Sequence, residues 1–285
     1  MVRHADGRGA VPEAADVSII AMDLDGTLVK GEQGITPRVR RAIHDVRAVG
    51  IEITIATGRM FRSARRFAAD LQVTLPIICY QGALVRDPMT GATHQHEVLP
   101  ADPARAAVEF ARRRGLHVNA YIDDELYMEA DTPEGRFYAA SSNVPITFVD
   151  DLAVAVAAGS TKLVFVMDED RVLDAVADMD GRFGSAVQAT RSHPRFAEIV
   201  RRDVNKGTAL ARVAAVANVP LEQTMGIGDN LNDLDLVRAA GIGVAMGDGD
   251  PRVLAAADWI TGSYEDDGVA QAIERLLNGR ANRQS

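Results

Sequence analysis

Short apolar runs that end in glycine and aspartate recur along the chain and alternate with amphipathic segments of helical period. The run 17–23 is short, apolar and β-branched, the pattern of a strand buried on both faces. Thr36-Pro37 then marks a helix start, with threonine at the N-cap and proline at the first helical position. Val39, Ile43, Val46 and Val49 share one face of that helix, and Gly50 supplies its stop. Residues 51–56 predict a second buried strand, 60–72 a second helix and 76–80 a third strand. The rhythm returns after about 205: helix 207–218, strand 224–228, helix 230–239, strand 242–245, a short helix at 251–257, strand 258–260 and a last helix at 266–277. Strands separated by helices in this way imply a parallel sheet with right-handed crossovers.

The middle of the chain reads differently. It has a turn at Met89-Thr90-Gly91, a helix rich in Ala and Arg at 102–114, and strands near 117–122 and 125–129. A helix at 133–142, a strand at 162–167, a helix at 169–180 and strands near 185–190 and 196–200 follow. The expected organisation is an α/β core of 17–82 and 202–280, interrupted by an α+β module at 83–201 and preceded by a loose tail at 1–16.

Composition narrows the function classes. The 285 residues are 47% hydrophobic and 25% charged, enough to bury a sizeable core without covalent staples. A net charge of −9 argues against a broad nucleic-acid or anionic-membrane surface, which demands clustered Lys and Arg. A small anionic substrate remains compatible, because a pocket or a bound metal can invert the local field. Cys79 is the sole cysteine, so no intramolecular disulfide exists. Residues 1–16 carry no apolar core of a secretory signal, and no run approaches the ~20 apolar residues of a membrane span. The expectation is a cytoplasmic protein, monomer or homodimer, with no nucleic-acid or membrane partner.

Chemistry gathers at the strand ends. Asp23-Leu24-Asp25-Gly26-Thr27-Leu28 sets two carboxylates two residues apart where a buried strand meets a loop, the place where open α/β sheets build their sites. Gly26 frees the backbone to turn and Thr27 offers a hydroxyl, although Asp and Gly also suit a plain turn. Gly228-Asp229-Asn230-Leu231-Asn232-Asp233 lies at another strand end. Asp229 would cap the next helix or join Asp233 on one of its faces; with Asp23 and Asp25, four carboxylates would then meet at one sheet edge. So many charges need a cation, and carboxylate oxygens suit Mg²⁺. Lys206, one of three lysines, opens a predicted helix, where a cation opposes the dipole. It reads either as a surface lysine or as the partner of a bound anion or an attacking carboxylate. Thr57-Gly58-Arg59 joins a strand end to a helix start, where a hydroxyl and free amides make a phosphate cradle.

Taken in order, these four segments resemble the motifs of the haloacid dehalogenase (HAD) superfamily of phosphohydrolases. Asp23–Leu28 matches the first motif residue for residue, Thr57 the second, Lys206 the third, and Gly228-Asp229 with Asn232-Asp233 the fourth. The insert looks like a C2-type cap, and Ala56-Thr57-Gly58-Arg59 with Asn205-Lys206-Gly207 points to the Cof-like IIB branch. The resemblance implies a Rossmann-like three-layer core and a Mg²⁺-dependent phosphatase of small phosphorylated metabolites such as sugar phosphates. It implies Asp23 as nucleophile through an aspartyl-phosphate, Asp25 as acid and base, and Mg²⁺ held by Asp23, the Asp25 carbonyl and Asp229. Thr27, Thr57, Gly58, Arg59, Lys206 and Asn232 would bind phosphate or substrate, with Asp233 orienting Lys206 or the metal's waters. Two departures, Gln81 where the family often has Asn and Asp248 in Met246-Gly247-Asp248-Gly249, bear on the floor under the substrate. A phosphomutase of the same superfamily and a non-catalytic sugar-phosphate sensor are the alternatives. Lys162, a lone lysine on an insert strand, carries little weight by itself.

Overall fold

A computed structural model describes residues 17–284 apart from 32, 143 and 184. The expected tail, 1–16, lies outside the described residues. Strand β1 (Ile19–Met22) is buried at every position. Helix α1 (Pro37–Ala48) follows, capped by the Thr36 hydroxyl, which accepts from the Val39 amide at 3.3 Å. Its buried face is Val39, Ala42, Ile43 and Val46. Val49, expected on that face, lies beyond the last helical residue and is 49% exposed, because the chain already turns toward Gly50 at φ +85°. Next come β2 (Glu52–Ile55), α2 (Phe61–Asp70) and β3 (Ile77–Cys79).

Strands β4 (Leu84–Arg86) and β5 (Thr93–His96) form a hairpin around the predicted turn. The hairpin pairs antiparallel with β3, which itself bridges the end of β2 through Ala56 and Ile78, so 84–96 hangs on the edge of the core. The insert continues with α3 (Ala101–Arg114), β6 (His117–Ile122), β7 (Glu125–Met128), α4 (Pro133–Ser142), β8 (Ile146–Phe148), α5 (Leu152–Val156), β9 (Lys162–Val166), α6 (Glu169–Phe183), β10 (Val187–His193) and β11 (Phe196–Arg201). Its strands form one sheet in the order β10-β11-β9-β6-β7-β8, antiparallel except for β7 with β8. Strand β8 and helix α5 are not among the elements that the sequence pattern predicts. Strand β8 is a three-residue edge strand, largely exposed, so it carries no apolar alternation.

The chain returns to the core with α7 (Lys206–Val216), β12 (Thr224–Gly228), α8 (Leu234–Ala239), β13 (Ile242–Ala245), α9 (Pro251–Ala256), β14 (Trp259–Ile260) and α10 (Gly268–Gln284). The core sheet is parallel in the order β14-β13-β12-β1-β2. Ile20 and Met22 pack in one apolar cluster with residues of α1 and α10, whereas Ala21 packs in another with residues of α7 and α8. Helices therefore cover both faces of the sheet and make three layers. The predicted helix at 230–239 is a 3₁₀ turn over 231–233 followed by the short α8. Since β1 lies between β12 and β2, the C-terminal ends of these strands bring residues 23, 57 and 229 to one edge. Among the described residues no helix is long and apolar enough to cross a membrane.

Candidate active site

The loop after β1 is held tightly by its own backbone. The amides of Leu28 and Val29 donate to the Leu24 carbonyl, and Gly26 donates to Val29 at 2.7 Å. Gly26 has φ +96°, and a Cβ there would fall 2.4 Å from an Asp229 carboxylate oxygen. Glycine is needed both for the turn and for room beside Asp229. The Thr27 hydroxyl donates to the other Asp229 oxygen at 2.8 Å. Thr27 thus fixes Asp229 across the sheet edge.

Lys206 is the first residue of α7, whose N-terminus is closed by Asn205 and Thr208 in a reciprocal capping box. Capping by its neighbours leaves the lysine free to turn inward, and it is fully buried. Its ammonium donates to Asp23 Oδ1 and to Asp233 Oδ1, each at 2.5 Å. The second oxygen of Asp233 accepts the amides of Asp229 and Asn230 at 3.0 Å. Both oxygens of Asp233 are therefore engaged, one by the lysine and one by the loop. Asp23, Asp229 and Asp233 each offer a carboxylate oxygen within 4.8 Å of the others.

Electrostatics at this cluster is dominated by burial. Desolvation, then the Asp233 charge, hold the Asp23 carboxyl well above the ordinary range, with Lys206 pulling the other way. Asp229 is pushed up to about 7 by burial and by Asp233, opposed by the Thr27 hydrogen bond. Burial alone would lower Lys206, but Asp23 and Asp233 reverse this and keep it protonated. When Asp23, Asp229 and Asp233 are all ionised, their charges and the Lys206 ammonium sum to −2, the complement of a divalent cation.

The neighbouring loop begins with Thr57, buried, whose hydroxyl accepts the Arg59 amide at 3.1 Å. The Arg59 guanidinium grips Asp25 with two hydrogen bonds, of 2.8 and 2.5 Å. A Cβ on Gly58 would strike the Gln81 amide at 2.4 Å. Gln81, in a left-handed conformation at φ +61°, accepts from Asn232 Nδ2 at 3.0 Å. Gln81 Nε2 and Asn232 Oδ1 are buried without a protein partner, and both residues line the cleft above Asp23. Gln81, noted in the sequence only as a departure, belongs to the cleft floor.

The cleft has a volume of about 230 Å³ and lies between core and insert. Tyr121, Lys162, His193, Phe196 and Glu198 of the insert sheet face Asp23, Asp25 and Arg59 of the core. Lys162 and Glu198 form a buried ion pair at 3.0 Å, and Lys162 also donates to the Gly58 carbonyl at 3.0 Å. Glu198 Oε2 has no protein partner. In the sequence Lys162 is a lone lysine on a strand and Glu198 belongs to no motif. The usable signal was a charged residue between Phe196 and Val200 on one face of an apolar strand.

A family model described as haloacid dehalogenase-like hydrolase matches residues 20–273. The chain is 29% identical to 5-amino-6-(5-phospho-D-ribitylamino)uracil phosphatase YitU of Bacillus subtilis, over 91% of this chain and 97% of that protein. It is also 29% identical to pyridoxal phosphate phosphatase YbhA of Escherichia coli, over 90% and 97% of the two chains. The solved structure of TM0651 from Thermotoga maritima superposes with a TM-score of 0.79 at 33% identity, covering 91% of this chain and 97% of that one.

Proposed function

The chain belongs to the haloacid dehalogenase-like hydrolases as a phosphatase of that family, and we propose that it hydrolyses phosphate monoesters of small hydroxyl-bearing metabolites through an aspartyl-phosphate. The observation that carries this reading is the buried lysine shared by Asp23 and Asp233, beside Asp229 and beneath the cleft between core and insert.

Asp23 is the nucleophile. Lys206 fixes one of its oxygens, which leaves the carboxylate aimed from the end of β1. Asp25 takes up a proton brought by the ester monoanion, gives it to the departing alcohol and later takes one from the attacking water. In the free protein Arg59 occupies Asp25. A phosphoryl group entering beside them offers the guanidinium a second anion and releases Asp25 for proton transfer. Lys206, Thr57 and the amide of Gly58 bind the phosphoryl oxygens, and Asn232 and Gln81 supply unpartnered polar atoms at the floor. The carboxylate cluster, with its net charge of −2, fits Mg²⁺. Asp23, Asp229 and the Asp25 backbone carbonyl would hold it, because both oxygens of Asp233 are engaged. Bound there, the ion would screen the repulsion between carboxylate and phosphoryl group.

The roof favours a leaving group with hydroxyls. Glu198 Oε2 is a buried acceptor without a protein partner in the cleft wall, and an alcohol hydroxyl would satisfy it. Tyr121 and Phe196 supply apolar area alongside.

The test is phosphate release from a panel of phosphorylated sugars and cofactors, with Mg²⁺ or EDTA, for the natural protein and Asp23→Asn. Metal-dependent release that disappears in the variant is expected. A folded natural protein that releases no phosphate from any ester with Mg²⁺ present would overturn the proposal.

A further inference from the structure

We propose that Asp124, at the tip of the insert hairpin β6–β7, is a positioning residue for the phosphate-binding loop of the core; this rests on the phosphatase reading above. Helix α2 starts directly after Thr57-Gly58-Arg59, yet its own N-cap residue, Met60, makes no side-chain cap hydrogen bond. The missing cap comes from the insert. Asp124 Oδ1 accepts the Phe61 amide at 2.9 Å and Oδ2 accepts the Arg62 amide at 3.0 Å. A carboxylate on the first-turn amides also meets the positive end of the helix dipole.

The same carboxylate reaches a second core segment. The Tyr80 hydroxyl donates to Asp124 Oδ1 at 2.6 Å. Tyr80 and Gln81 both have positive φ, 52° and 61°, and Gln81 carries the hydrogen bond to Asn232 in the cleft. Non-glycine residues persist in that region only where their surroundings fix them. Asp123 and Asp124 are themselves left-handed, at 49° and 62°, which turns the hairpin tip toward the core. Lys162 then holds the Gly58 carbonyl from above. Segment 58–62 is thereby held by the insert at Gly58 and at Phe61 and Arg62, with Arg59 between. Its conformation depends on the docked insert, so docking and the placement of Gly58 and Arg59 around the phosphoryl group are one event.

Asp123 and Asp124 form the tight turn that joins β6 to β7. Its further contact, 63 residues away in the chain, is visible only after folding.

The test uses the full chain with Asp124→Ala and Asp124→Asn. Asparagine keeps the Oδ1 acceptor and is itself a good helix cap, whereas alanine removes every contact. Expected for Asp124→Ala is a rise of about fivefold in the inhibition constant of inorganic phosphate, matching the usual worth of a helix cap, and a similar fall in kcat/KM. The fall should be alike for a small ester, p-nitrophenyl phosphate, and for glucose 6-phosphate, with Asp124→Asn recovering most of both. Amide hydrogen exchange over 58–66 should accelerate in Asp124→Ala while the strands of the core sheet stay protected. Unchanged phosphate inhibition and kcat/KM in a folded Asp124→Ala would overturn the proposal, whatever the exchange shows. A loss confined to glucose 6-phosphate would also overturn it, making Asp124 a contact of the leaving group. If Asp124→Ala does not fold, Tyr80→Phe, which lacks one of the three bonds, should raise the phosphate inhibition constant about threefold, and no rise would have the same force. A natural protein without turnover would defeat the phosphatase reading, and unchanged exchange over 58–66 would then separately defeat the docking.

Discussion

Replacing Lys206 with Met keeps an unbranched stem and removes the ammonium that Asp23 and Asp233 share. Breaking a buried ion pair from one side costs about 3–5 kcal/mol, because the remaining charges stay in poorly solvated positions. Asp23 is 3% exposed and Asp233 fully buried, so little water can compensate. A loss of about 4 kcal/mol corresponds to roughly 8 °C in Tm for a chain of this size. The pH dependence follows from the carboxyls. Asp23 titrates above the ordinary range through burial and the neighbouring Asp233, and without the lysine it moves further up. A carboxyl whose pKa is higher folded than unfolded keeps a proton that the unfolded chain has released, so stability falls as pH rises between those two values. Lys206, raised in the folded state, is charged in both states below the ordinary lysine pKa and contributes its full stabilisation there. The gap between natural protein and variant must therefore widen from about pH 5 to about pH 8. Thermal unfolding followed by circular dichroism in EDTA measures it. Equal Tm values at about pH 8, or a gap wider at about pH 5, would refute the reasoning.

Gly26→Ala would place a methyl group 2.4 Å from Asp229 on a backbone at φ +96°; it should cost about 1–3 kcal/mol in urea unfolding and weaken activation by Mg²⁺, and normal values of both would count against the tight turn. Asp229, at about 7 in the metal-free protein chiefly through burial, must lose its proton when Mg²⁺ binds. Asp23, also raised, must lose its proton too, so the half-activating Mg²⁺ concentration should rise at least about tenfold per pH unit below about 7; titrations that show no pH dependence would contradict this. Lys162→Met strands Glu198 in the cleft wall and should cost about 3 kcal/mol, most of it recovered in the double variant with Glu198→Met. A double variant no more stable than the single one would mean that the pair's burial is not the source of the loss.

The sequence by itself determined the core elements and the chemistry at their ends. Buried strands such as 19–22 and 224–228 are apolar because both faces are covered, and Thr36-Pro37 starts a helix through bonds made within its own first turn. Such signals are local, as are the aspartates that follow the strands. Tertiary structure alone decided their partners. Lys206 looked like a cation misplaced at a helix start until folding put Asp23 and Asp233 around it. Thr27 reads as a free hydroxyl in the chain and is bound to Asp229 across two strands. Glu198 and Asp124 carry no motif at all, since each draws its meaning from groups far along the chain: Lys162 for one, the amides of α2 for the other. Periodicity and capping are written in neighbouring residues, but pairing of buried charges depends on which strand ends the sheet order sets side by side.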